Sequence, residues 1–160
     1  RRFHVKESTL QAFVAEVRSK YHANPFHNWL HAVAVMQASF LILVHTRAAG
    51  MLSYVDIFAC LAAALCHDID HPGTSNGFLV ATEAKLALLH NDDAPLERHH
   101  SATTAALLQR KELDIFASLD APSRKRVRKV MIGAILATDM SKHMGHIQSL
   151  ADRAARAGSS

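Results

Sequence analysis

Ser53-Tyr54-Val55-Asp56 opens, and His67-Asp68-Ile69-Asp70-His71-Pro72-Gly73 closes, an apolar segment in which Ile57 to Cys66 carries no charge. A serine and a nearby acid at the start, and a Pro-Gly pair at the end, are start and stop signals for a helix. The apolar filling makes that helix a core element. Four ionisable side chains follow it directly, and burying such groups without partners is costly. Histidine and carboxylate together form the ligand set of zinc, or of a mixed site that also takes a harder ion. A metal here makes the chain a hydrolase candidate. A helix that merely ends in polar residues accounts less well for so dense a cluster.

Working outward, the chain reads as helical throughout, with no persistent period-two pattern. Ser8-Thr9-Leu10-Gln11 fits a capping box, with Gln11 reaching back to the Ser8 amide. Leu10, Phe13, Val14 and Val17 then recur at helix spacing to about Lys20. After Pro25 a second helix is expected from near His27 to Ala49, capped by Gly50. One or two short helices follow over 76–89, a turn over Asn91 to Pro95, a helix from Leu96 to Arg110, and a long one from Pro122 to about Met140. The tail from Ala151 to Ser160 turns small and polar, and its last residues read as a loop or a cut end.

The 160 residues suffice for one domain, 1–160, with a real core. Twelve histidines are well above ordinary usage, and the net charge of +4 is only weakly basic. Most of that excess lies in Arg124-Lys125-Arg126 and Arg128-Lys129, interleaved with Val127, Val130, Met131 and Ala134 at helix spacing. This is the wet face of an amphipathic helix and no sign of a nucleic-acid partner. Cys60 and Cys66 cannot build a disulfide framework and fit reduced core residues of a cytoplasmic protein. No apolar stretch reaches the length of about 20 residues that spans a bilayer.

Three further clusters carry chemistry. In His27-Asn28-Trp29-Leu30-His31 the histidines are four apart. Both could bind one metal, or one could bind while the other handles a proton beside it. Glu97-Arg98-His99-His100 follows a proline-led turn, and Thr138-Asp139-Met140-Ser141-Lys142-His143 ends a helix. Within the central cluster, Asp70 and His71 are expected outside the metal's own ligand set, where a carboxylate orients metal-bound histidines.

In this order the four stretches resemble the catalytic domain of the class I cyclic nucleotide phosphodiesterases, a compact all-α, multi-helix domain of the HD type. Asn24 to His31 is similar to that family's opening histidine motif, and His67 to Phe78 to its signature. Asn91-Asp92 with Pro95 to His100 resembles its third motif, with Arg98 where asparagine is usual, and Leu136 to His143 its fourth. The resemblance implies metal-dependent hydrolysis of cAMP or cGMP to the 5′-monophosphate. It implies His27 as proton donor to the leaving oxygen, and His31, His67 and Asp68 as ligands of a first metal, usually zinc. Asp68 is shared with a second, usually magnesium or manganese. Asp70, His71, Glu97, Thr138, Asp139 and Met140 surround the metals or the substrate pocket. No membrane span is implied, and a homodimer is compatible with the pattern.

The pattern stops early. The family's fourth ligand to the first metal, an aspartate, and its purine-holding glutamine have no counterpart after Asp139, where Asp152 is the last acidic residue. The chain therefore resembles the N-terminal part of such a domain, incomplete at its C-terminus. Two other readings follow: an inactive binding or regulatory module, and another HD-type phosphohydrolase.

Overall fold

The computed structural model describes residues 3–157. Among them the elements are α1 (Glu7–Ser19), α2 (Trp29–His45), α3 (Ala48–Met51), α4 (Tyr54–Cys66), α5 (Asn76–Ala81) and α6 (Lys85–Leu89). Then come α7 (Pro95–Leu108), α8 (Ala121–Leu136), a 3-10 turn (Met140–Lys142) and α9 (His143–Ala157). No strand occurs among the described residues, as the periodicity predicts.

Helix α4 is the centre, packed against α2, α7 and α8. Ala59, Ala62, Ala63, Leu65 and Cys66 are buried, and the small alanines let neighbouring helices come close. Helix α1 adds Phe13 and Val17, and α8 adds Val127, Met131 and Ile135 at i, i+4, i+8. Phe58 of α4 meets Phe116 at 4.9 Å between ring centres. Each large side chain buried here contributes about 1.5–3 kcal/mol. Lys125, Arg128 and Lys129 stay exposed on α8, as expected. A small second cluster, Leu79, Ala87 and Leu96, fastens α5 and α6 to α7. Cys66 is buried in the core, Cys60 is half-buried, and both are free.

Helix ends differ from the sequence expectation where local hydrogen bonds decide them. The capping box does not form at Ser8: α1 starts at Glu7 after Lys6, and the Gln11 amide donates to the Glu7 carboxylate at 3.1 Å. Asn28, not His27, precedes α2, because its side chain accepts from the His31 amide at 3.1 Å. The helix stops at His45, where Thr46 is extended and its hydroxyl donates to the Ile42 carbonyl, so Gly50 lies within α3 and caps nothing. At α4 the start is as read: Ser53 accepts from the Asp56 amide, and Asp56 accepts from the Ser53 amide. Helix α9 runs to Ala157, with Met144, Ile147 and Leu150 at helix spacing, and the last residues, expected as a loop, fall at 158–160, outside the described residues. No helix among the described residues is long and apolar enough to cross a membrane.

Candidate metal centre

His67 is the residue at which α4 ends, and Asp68 to His71 turn the chain back under it. The turn is held from outside itself. The Tyr21 hydroxyl donates to the Leu65 carbonyl at 2.9 Å and accepts from the Asp68 amide at 3.3 Å. The Asp70 amide donates to the Lys20 carbonyl at 3.1 Å. Asn24 donates both to the His27 carbonyl (3.0 Å) and to the His71 carbonyl (2.8 Å), so one amide ties the first histidine motif to the second. Gly73 closes the turn at φ +85°, and a Cβ there would stand 3.0 Å from Asn24 Oδ1. Only glycine meets both demands without displacement.

Three atoms converge in this frame. His31 Nε2 and His67 Nε2 are 3.3 Å apart, and Asp68 Oδ2 lies 3.4 Å from the first and 3.1 Å from the second. His67 and Asp68 are only 7% and 8% exposed. His67 Nδ1 donates to the Ala64 carbonyl at 2.9 Å, which aims Nε2 at the other two atoms; burial disfavours charge on this ring, but its pairing with Asp68 outweighs burial and holds its pKa above the ordinary value. Burial holds the His31 pKa below its ordinary value, with His67 acting in the same direction, and so favours the neutral, ligating form. Burial also opposes charge on Asp68, but the neighbouring His67 overcomes it and the carboxyl stays ionised, below its usual range. Asp68 Oδ2 is buried and accepts no hydrogen bond among the described residues. Two imidazole lone pairs and one orphaned carboxylate oxygen within 4.8 Å of one another suit a divalent cation, and His31, His67 and Asp68 are the residues that would hold it.

The remaining histidines form a wall beside this triad. His27 precedes α2 and does not share a helix face with His31; its ring stacks on His71 at 3.9 Å and 11°. His71 Nδ1 accepts the Gly73 amide at 2.9 Å, which fixes Nε2 as its protonated nitrogen. Burial, then neighbouring His27, lowers the His71 pKa to about 4, so it is neutral. His100 lies behind, 1% exposed, its Nδ1 donating to the Ile69 carbonyl at 2.7 Å and its Nε2 4.0 Å from Asp68 Oδ1. Burial lowers its pKa to about 4 as well.

Other expected residues are placed differently. Asp70 does not touch His31 or His67: its two oxygens meet His22 Nε2 and His99 Nε2, each at 2.8 Å, and it clamps the α1–α2 connection to α7. Glu97 is buried and accepts from Asn76 Nδ2 at 2.8 Å, while Asn76 Oδ1 accepts from the Leu96 amide at 2.9 Å. Asp139 is buried and caps the 3-10 turn through Ser141, with Lys142 3.4 Å away. Thr138 donates to the Ile135 carbonyl and Met140 is exposed. No hydrogen bond or ion pair joins Thr138 or Asp139 to the triad among the described residues. Sequence reasoning gave no role to Tyr21 or His22, and it named Asn24, His99 and His100 as motif members without their place in the frame. A signal existed for the last two: Glu97 and His100 are three apart and share the inner face of α7, which turns His99 aside toward Asp70.

A family model described as 3′5′-cyclic nucleotide phosphodiesterase matches residues 26–160. The chain is 38% identical over 149 residues to the mouse 3′,5′-cyclic-AMP phosphodiesterase 4C, covering 92% of this chain and 22% of that protein. It is 35% identical over 148 residues to a Caenorhabditis elegans protein named as probable 3′,5′-cyclic-AMP phosphodiesterase pde-4, with the same coverage. The phosphodiesterase domain of the RhoPDE fusion protein of the choanoflagellate Salpingoeca rosetta superposes with a TM-score of 0.92 at 38% identity, over 94% of this chain and 47% of that one. The chain thus spans about a fifth of these curated relatives and about half of the solved domain.

Proposed function

The chain belongs to the 3′5′-cyclic nucleotide phosphodiesterase family, and we propose that it carries the metal-holding half of a site that hydrolyses cAMP or cGMP to the 5′-monophosphate. One observation carries the proposal: His31, His67 and Asp68 bring two imidazole nitrogens and an unbonded carboxylate oxygen to one point. Divalent ions held there, which we take to be zinc first and magnesium or manganese second, would supply a nucleophilic water at neutral pH and relief of phosphoryl charge.

The chain's own residues do the rest. His31 and His67 would bind through Nε2, with the His67 tautomer fixed by Ala64. Asp68, with two oxygens, is the residue to share between ions. His27 would give the leaving 3′ oxygen its proton, since imidazole serves as a general acid and this ring is half-buried, stacked on neutral His71. His71 is then a positioning residue, as is Asn24, which holds the backbones of both. Glu97, Thr138 and Asp139 would order water around the second ion, with Met140 beside the substrate. The free cysteines support a cytoplasmic setting.

The test is metal analysis of the purified chain, followed by cyclic nucleotide turnover with magnesium and chromatography of the product. The expected result is bound metal and release of the 5′-monophosphate. A chain that holds metal without turning over either nucleotide is an inactive binding module, and one that hydrolyses only other phosphoesters is a different HD-type phosphohydrolase.

A further inference from the structure

We propose that the cleft between α7 and α8 is a binding site for a small amphiphilic anion, with a hydrocarbon body and an acidic head. The cleft measures about 330 Å³, within the range of small-molecule sites. Leu108, Phe116, Val127, Met131, Ile132 and Ile135 line its floor. Thr104 also faces it, but its hydroxyl is committed to the His100 carbonyl at 2.8 Å. Ser101 and Gln109 also line the cleft, but a nucleobase would still press most of its polar edge against the hydrocarbon floor, at a cost that an alkyl chain avoids.

The rim supplies the charge. Arg124 is neutralised by Asp114 at 2.9 Å and also donates to the Phe116 carbonyl. Lys125 and Arg128, three apart on one face of α8, are exposed, and their side chains make no ion pair among the described residues. Two uncompensated cations above an apolar cleft complement an anionic head on an apolar chain. The small volume favours a single alkyl chain over a peptide helix, which needs a long groove for residues at i, i+4 and i+7. None of the metal-centre side chains lines this cleft, so the two sites are separate in space while sharing α7.

Decanoate is the probe, titrated into the full chain by calorimetry and by methyl NMR of Met131, Ile132 and Ile135. Saturable one-to-one binding is expected, with decanol weaker by about tenfold or more. The double variant Lys125→Glu with Arg128→Glu should lose about tenfold or more in decanoate affinity, while its melting temperature and metal content stay native. Ala105 lines the cleft from α7, so Ala105→Trp, which fills it, should abolish binding. Equal affinity for decanoate and decanol, or binding untouched by the charge reversal, overturns the proposal. So does a cleft that ignores decanoate and takes an acidic amphipathic peptide instead.

Discussion

Asp68→Asn should make the metal-free protein more stable, and metal should reverse the order. In the native chain, Asp68 Oδ2 is buried without a hydrogen bond, 3.1 Å from His67 Nε2 and 3.4 Å from His31 Nε2. Above the pH at which His67 loses its proton, a point that its pairing with Asp68 raises, both imidazoles turn lone pairs toward that oxygen, so acceptor faces acceptor. An unsatisfied buried polar group costs about 1–3 kcal/mol. An asparagine amide at the same place donates to one imidazole and removes that cost. For a protein of this size, roughly 2–4 °C accompanies each kcal/mol, so the apo variant should melt roughly 2–12 °C above the native chain. Metal at about 100 times its Kd should then raise the native protein by about 2.7 kcal/mol and leave the variant unmoved. Thermal melts with chelator and with metal read both effects. The reasoning fails if the apo variant melts at or below the native chain, or if metal raises both alike.

Three other outcomes follow from the same geometry. His27→Ala, measured in a longer protein that turns over cyclic nucleotide, should lower kcat by about 100-fold or more with metal content unchanged; loss of metal would instead make His27 a ligand. Gly73→Ala should cost about 1–3 kcal/mol, since φ is +85° and the new Cβ meets Asn24 Oδ1 at 3.0 Å. In an Asn24→Ala background the clash disappears and the loss measured by urea denaturation should shrink; an undiminished loss refutes the clash. Asp56 is held below the usual carboxylate range by Arg126, whose Nε donates to it at 2.6 Å, and by the Ser53 cap, against the opposing effect of burial. Its folded pKa therefore lies below its unfolded one, so its contribution is present above the unfolded value of about 4 and is lost as pH falls through the folded one. Acid denaturation of Asp56→Asn should accordingly be flatter in that window, and a native-like acid profile would show that other carboxylates set it.

What the sequence made legible was what runs locally. The start of helix α4 was readable because Ser53 and Asp56 sit three apart; its end was not, since Pro72-Gly73 was expected to stop it and the helix already ends at Cys66. The α8 stripe was readable because Val127, Met131 and Ile135 repeat on one face. The ligand types His31, His67 and Asp68 were also visible, as dense polar residues beside apolar runs. What was not legible depends on contacts between distant segments. Ser8 has the right spacing for a cap, yet α1 begins at Glu7. His22 carried no pattern of its own; its partner, Asp70, is 48 residues away.

Asp68 and Asp70 show why ligand counting alone misleads. They are the same residue type, two apart, in one turn, and either could serve a cation by chemistry alone. Asp70 adopts a left-handed φ of 61°, and its amide is held by Lys20. That bend turns its carboxylate outward, where His22 and His99 consume both oxygens. Asp68 stays inward, its amide held by Tyr21 and its Oδ2 without a hydrogen bond. The two carboxylates therefore divide the work: one fastens the turn to α7 and the α1–α2 connection, and the other is kept open for a cation. Exchanging their surroundings would exchange their roles. Disabling the clamp with Asp70→Asn should then loosen the turn and weaken metal affinity without removing a ligand, whereas Asp68→Asn removes one outright. A titration of both variants with the same metal separates the cases: a right-shifted curve that still saturates for Asp70→Asn, and no saturation for Asp68→Asn. Indistinguishable curves would mean that the clamp does not support the site.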